Sequence, residues 1–283
     1  MSAQGDSYRL SAAGDTFNTA VYLARSGIPT EYLTCLGDDP VSSTLLASLA
    51  EEGIAADRIK TLPGRSAGIY LVSNEPDGER HFTYWREQSA ARSLFEEPIE
   101  LPGVSGFYFS GITLAIARNG IENLLHLLAS LSESSCAIYF DPNYRPALWD
   151  DANQAREIVR RVLPFCNAVF PTLEDERLLW GVDSVESCRD FYGQEGIGEI
   201  VVKAPDLTAH AWMSDEYVCR QAARVQPLDT TGAGDAFNAG YLSVRLTGGD
   251  VESALGAAQA LSALVVQHQG AILPRQPAAS SPV

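Results

Sequence analysis

The sequence predicts an α/β fold in which helices flank a mainly parallel sheet, and three observations carry that prediction. Short β-branched and aromatic runs alternate with longer segments whose apolar residues recur at helical spacing, the pattern of repeated βα units. Several strand-like runs end on polar residues, Ser110, Asp141 and Lys203, as strands do where an open sheet gathers a ligand site beyond its carboxyl ends. The 283 residues, 46% hydrophobic and 20% charged, are enough for one large α/β domain or two small ones.

Taken in order, "DTFNTAVYLARSG" places Phe17, Ala20, Val21 and Ala24 on one helical stripe and stops at Gly27. "EYLTCL" follows as a strand, and "VSSTLLASLAEEG" as a second helix closed by Gly53; glycine accepts the left-handed conformation in which many helices end. "AGIYLVSNEPDGERHFTYWRE" breaks the alternation: two strands are joined by turn residues between Asn74 and Gly78. Period two puts Phe82, Tyr84 and Arg86 on one face and His81, Thr83 and Trp85 on the other. A hairpin with aromatics on both faces has something to cover, so it reads as a lid, spanning about residues 66–90. "FYFS", "CAIYFD", "NAVF" and "EIVVK" supply further strands, and only the tail "QPAASSPV" reads as disordered.

The formal net charge of −16 opposes binding to nucleic acid or to an anionic membrane surface, and neither is expected as a partner. No apolar run approaches the ~20 residues that span a bilayer. Five scattered cysteines without a Cys-x-x-Cys pair read as reduced thiols of a cytoplasmic protein. The four histidines show no ligand spacing, so no protein-held transition metal is expected.

"DTTGAGDAFNAGY", Asp229 to Tyr241, carries the chemistry. Its glycines let backbone N–H groups converge at the start of a helix, which makes an anion site. Asp235 sits where a bound phosphate would be. A carboxylate there has a use if it takes the proton from a hydroxyl attacking a phosphoryl group, while the Gly232, Ala233 and Gly234 amides hold the transferred oxygens. The plainer alternative is a tight turn with an acidic first-turn residue. The G-x-G-x-x-G spacing of dinucleotide sites is absent.

The same stretch resembles the D-T-x-G-A-G-D signature of the ribokinase and phosphofructokinase-B superfamily of carbohydrate kinases, and "AAGDTFNTAVYLARSG" resembles its glycine-rich segment near the start. Together with "HFTYWRE", "SGITLA", "DPNYRPALW" and "QGAILPR", these segments are similar to the 2-keto-3-deoxygluconate kinases of that superfamily over nearly the whole chain. The resemblance implies one ribokinase-like, Rossmann-type domain over residues 1–283. It implies ATP and Mg²⁺ as cofactors, phosphorylation of a sugar acid at its 6-hydroxyl, and a homodimer or higher homo-oligomer. A fructokinase-like relative or a catalytically impaired sugar-binding remnant are the alternatives.

By that resemblance Asp235 is the base, and Gly14, Asp15 and Asn18 grip sugar hydroxyls. Tyr70, Tyr84, Trp85 and Arg86 form the substrate face of the lid, with Arg86 suited to a carboxylate. Arg145 is matched to the family arginine that meets carboxylate or phosphate, although it could instead pair with Asp141. Lys203 and Ala204 are matched to the nucleotide-facing loop, where the family's glycine-rich continuation is replaced by Ala204, Pro205 and Asp206; proline offers no N–H. The family's Asn-x-x-Glu reads Thr172, Leu173, Glu174, Asp175. Family members open with a buried strand ahead of the glycine-rich segment, yet only twelve residues precede Ala13 and "SAQGDSYRLSA" has no apolar run. The expectation is a sheet without its first strand.

Overall fold

The computed structural model describes residues 2–4, 7–74 and 80–275. In chain order it holds β1 (Ser2–Gln4), β2 (Ser7–Arg9), α1 (Asp15–Arg25), β3 (Cys35–Gly37), α2 (Pro40–Glu51), β4 (Lys60–Leu62), β5 (Ile69–Asn74) and β6 (Arg80–Trp85). There follow β7 (Gly106–Ser110), α3 (Gly111–Ile116), α4 (Ile121–Glu133), β8 (Ala137–Asp141), α5 (Ala152–Val162), β9 (Ala168–Val169), α6 (Leu173–Trp180) and α7 (Val185–Gln194). The chain continues through β10 (Glu199–Lys203), β11 (Thr208–Met213), β12 (Glu216–Gln221), α8 (Ala233–Arg245) and α9 (Val251–Val265). Both anticipated early helices form, and Gly27 and Gly53 take positive φ just beyond them.

The main sheet has six strands in the order β12-β11-β10-β9-β8-β7. β7 to β10 run parallel, and β11 and β12 add an antiparallel edge. A strand buried on both faces sends alternate side chains to opposite cores. Ile200 and Val202 enter one apolar cluster, with α4, α5 and α7, while Val201 enters the other, with α8, α9 and the end of α1. Val169 and Ala168 divide in the same way. Among the described residues, no helix is long and apolar enough to cross a membrane.

The anticipated hairpin strands form: β5 and β6 pair antiparallel in the register Tyr70↔Tyr84. Its turn beyond Asn74 and the tail from Gln276 lie outside the described residues, as do the side chains of His81 and Phe82. The start of the chain departs from expectation in one respect. "SAQGDSYRLSA" holds two short strands, β1 and β2, and they join the lid sheet in the order β2-β1-β5-β6. Backbone pairing at a sheet edge does not require an apolar run. Among the described residues no strand pairs with the outer edge of β7, and β3 pairs only with β4, in a separate parallel ladder.

Helix α8 carries the glycine-rich turn and crosses α9 closely. A Cβ at Gly240 would stand 2.8 Å from Ala258 Cα and 2.9 Å from the Ala257 carbonyl oxygen, so the glycine is what allows the two backbones to approach. Gly240→Ala is expected to lower stability by about 1–3 kcal/mol, read as a lower denaturation midpoint; an unchanged midpoint would contradict this packing.

Candidate active site

The carboxyl ends of β7, β8 and β10 and the first turns of α1 and α8 meet around a cavity of about 700 Å³. Gly14, Asp15, Asn18, Tyr70, Tyr84, Arg86, Arg145, Lys203, Gly232, Ala233, Gly234 and Asp235 all border it.

Asp235 is the third residue of α8, after the left-handed Gly232 (φ 78) at the cap. Gly232 is required twice: for that φ, and because a Cβ there would lie 2.6 Å from the Ala271 side chain. Asp229 shapes the approach, its carboxylate accepting from the Thr231 and Gly270 amides at 2.8 Å each. The Gly234 and Asp235 amides belong to the first helical turn, whose N–H groups have no intrahelical acceptor. Ala233 differs from expectation, because its N–H turns back to the Thr230 carbonyl at 3.2 Å.

Asn18 reaches across from α1 and donates to Asp235 Oδ2 at 2.8 Å. Asp15, at the start of the same helix, accepts from Ser110 Oγ and, at 3.3 Å, from Asn143 Nδ2. Burial lifts the Asp235 carboxyl well above the ordinary carboxylate range, and Asp15 and Asp141 push it further; Asn18 and Lys203 oppose the rise. Asp15 is raised as well, first by burial, against the Ser110 hydrogen bond. The two carboxyl groups open onto the cavity but are otherwise walled in by protein, so a proton is held more tightly than in water.

On the lid, the Tyr70 and Tyr84 rings lie 6.0 Å apart, and the Arg86 guanidinium stacks 4.1 Å from the centre of Tyr84. Among the described residues no carboxylate lies within ion-pair distance of Arg86, and burial lowers its pKa. Arg145 is already engaged: it meets both Asp175 oxygens at 2.9 Å, and the pairing with Asp141 anticipated as its alternative does not form. Lys203 Nζ donates to Asn238 Oδ1 at 3.0 Å.

Two expected residues do not reach the cavity. Trp85 points to the opposite face of β6, as period two requires, and is 56% exposed. The Ala204 amide is spent on the Thr208 carbonyl at 3.0 Å, closing the β10–β11 turn on itself. Other residues join the site unannounced. Tyr32 walls the cavity with its hydroxyl 2.9 Å from Thr16 Oγ1; of the "EYLTCL" run expected as a strand only Cys35 and Leu36 join β3, and Tyr32 lies in the loop before it. Asn238, one helical turn beyond Asp235, donates to Asp141 Oδ2 and to Tyr108; its i+3 spacing from the acid was a usable signal.

The family model described as pfkB family carbohydrate kinase matches residues 1–279. A 2-dehydro-3-deoxygluconokinase of Dickeya dadantii (strain 3937) is 35% identical over 97% of this chain and 93% of its own. Another of the same name, from Haemophilus influenzae, is 35% identical over 93% of this chain and 88% of its own. The crystal structure of a 2-dehydro-3-deoxygluconokinase from Thermotoga maritima superposes with a TM-score of 0.86 at 21% identity, covering 95% of this chain and 89% of that one.

Behind the site, Glu176 of α6 is wholly buried, accepting from the Tyr192 hydroxyl at 2.8 Å through one oxygen and lacking a partner for the other. Burial pushes its pKa from 4.5 up to about 8, against the Tyr192 hydrogen bond. The folded chain therefore keeps a proton that the unfolded chain releases. The resulting stability is present below 4.5 and is lost as pH rises through about 8; Asp15 and Asp235 act with the same sign. Denaturant titrations at pH 5 and pH 9 are expected to show lower stability at the higher value, and Glu176→Gln to reduce the difference. Equal pH dependence in the two proteins would contradict the assignment to Glu176.

Proposed function

The chain belongs to the pfkB family of carbohydrate kinases, and from that premise we propose that it transfers the γ-phosphoryl group of ATP to the 6-hydroxyl of 2-keto-3-deoxygluconate. The single observation that carries this reading is Asp235: a half-buried carboxyl at the mouth of an amide-lined helix start, in one cavity with the Arg86 guanidinium, which has no carboxylate at ion-pair distance among the described residues. That the similar proteins of Dickeya dadantii and Haemophilus influenzae are 2-dehydro-3-deoxygluconokinases supports the substrate.

In this reading Asp235 accepts the 6-hydroxyl proton as that oxygen forms its bond to the γ-phosphorus. The bond from that phosphorus to the bridging oxygen breaks, and ADP leaves with the electron pair. The Gly232 and Gly234 amides face the charge on the transferred oxygens. Asp15 and Asn143 offer acceptor and donor to sugar hydroxyls, and Asn18 holds Asp235 in place. Arg86 takes the substrate carboxylate. A fructokinase-like preference is disfavoured because a neutral ketose leaves that desolvated cation unpaired.

Mg²⁺ would be brought by the nucleotide rather than held by a protein cage. Among the described residues no three His, Cys, Asp or Glu side chains gather as a metal cage, and Asp141 and Asp175 are occupied by Lys203 and Arg145. This donor set fits an ion held by phosphate oxygens and water, which neutralises phosphate charge when bound. The reading further makes the chain one cytoplasmic kinase domain with residues 66–90 as its lid. The Trp85 face of that lid, turned away from the cavity, then serves as the contact in a homodimer.

Asp235→Asn is expected to lower turnover in a coupled ADP-release assay by about 10²–10⁴-fold, with substrate binding retained; normal turnover would refute the base. In a substrate panel the sugar acid is expected to exceed neutral ketoses in kcat/KM, and Arg86→Met to erase that preference. A ketose preferred by the unaltered enzyme would overturn the substrate assignment. Light scattering is expected to give twice the chain mass, and a monomer would exclude the lid dimer.

A further inference from the structure

We propose that Lys203 is a positioning residue for phosphoryl transfer: its ammonium, strapped to Asn238 and Asp141 against the Gly234–Asp235 turn, holds Asp235 ready to accept the proton. This rests on the reading of Asp235 as the base, but it assigns Lys203 to the proton acceptor rather than to the nucleotide.

The geometry is a closed triangle. Lys203 Nζ donates to Asn238 Oδ1 at 3.0 Å and lies 3.7 Å from Asp141 Oδ2, and Asn238 Nδ2 donates to that same Asp141 oxygen at 2.8 Å. Asn238 also donates to the Tyr108 hydroxyl at 2.9 Å and is wholly buried. The Lys203 side chain is only 13% exposed, so this four-carbon stem has little of the freedom that a surface lysine keeps. Its ammonium lies beside the catalytic turn: a Cβ placed on Gly234 would be 4.0 Å from Nζ. The triangle thus joins the ends of β8 and β10 to the face of α8 that carries Asp235.

The charges around Asp235 require such a group. Asp15 from α1 and Asp141 from β8 both favour its neutral form, and Lys203 from β10 is the cation that opposes them. Arg145 faces Asp15 and Asp175 instead, and Arg86 faces Asp15 from the lid. Lys203 also faces Asp175 and Glu176 of α6. The remaining titratable neighbours, Tyr22, Tyr32, Tyr70 and Tyr108, are all shifted upward and so stay neutral near pH 7. Without Lys203, no other cation among the described residues on this side offsets the two acids, and a neutral Asp235 cannot act as a base.

The test is steady-state kinetics across pH for the unaltered enzyme and for Lys203→Met, Lys203→Gln and Lys203→Arg, with thermal unfolding as the check on folding. Removing the charge is expected to move the acid limb of kcat/KM for the sugar acid upward by about one pH unit. Turnover below the limb then falls about tenfold, while the KM for ATP changes less than about twofold. Lys203→Arg is expected to keep the limb near its original position. Lys203→Gln, which can still donate to Asn238, carries the test if the methionine variant does not fold. A raised KM for ATP with an unmoved limb would overturn the proposal in favour of a nucleotide contact; so would an unmoved limb alone. If Asp235→Asn is inactive and the Lys203 profiles do not move, this inference fails alone, whereas normal turnover in Asp235→Asn removes the base reading first.

Discussion

The site depends on one constraint: three carboxyl groups, Asp15, Asp141 and Asp235, have to share a poorly hydrated mouth at the end of the sheet without driving it apart. Like charges at short range in such surroundings disfavour one another strongly. The protein meets this with a matched donor for each acid. Asn18 donates to Asp235, Ser110 and Asn143 to Asp15, and Asn238 to Asp141, with Lys203 as the nearby cation. These donors come from α1, β7, α8, β10 and the loop after β8, so the acids can be held only when the whole parallel sheet and its two flanking helices are assembled. The close approach of α8 to α9 at Gly240, and of the turn to Ala271 at Gly232, packs that assembly tightly around the start of α8.

The β5–β6 hairpin adds the opposite feature, a cation with no carboxylate at ion-pair distance among the described residues. Stacking on Tyr84 offsets part of the cost of partly burying Arg86, and such contacts contribute about 0.5–2 kcal/mol. Arg145 has no comparable need, since Asp175 already meets it with both oxygens. The two arginines that look alike in sequence therefore differ in availability, and the distinction favours Arg86 as the reader of a substrate carboxylate.

Much of this was legible in the sequence. Alternating strand and helix runs locate the parallel sheet, because burial on both faces imposes apolar strands with polar carboxyl ends, as at Ser110, Asp141 and Lys203. The glycine-rich turn marks the start of α8, because positive φ and close contact admit little else. What stayed hidden depends on tertiary geometry. Tyr32 enters the cavity from a stretch that reads as a strand but folds as a loop; Trp85, by contrast, leaves it as period two already indicated, and only the resemblance grouped it with Tyr84 and Arg86. Ala204 is lost to its own hairpin turn, and Ala233 to a turn bond, since which amide stays free follows from local hydrogen bonding that composition does not encode. β1 and β2 escape recognition because strands of three residues are too short for an alternating apolar pattern to register.

Carboxyl-selective NMR titration of the free protein, with the resonance assigned by its loss in an Asp235 variant, reads how tightly the walled-in Asp235 carboxyl holds its proton. A midpoint well above the ordinary aspartate value of about 3.9 is expected, reached while the fold is intact. A midpoint at or below that value would overturn the environment described for Asp235.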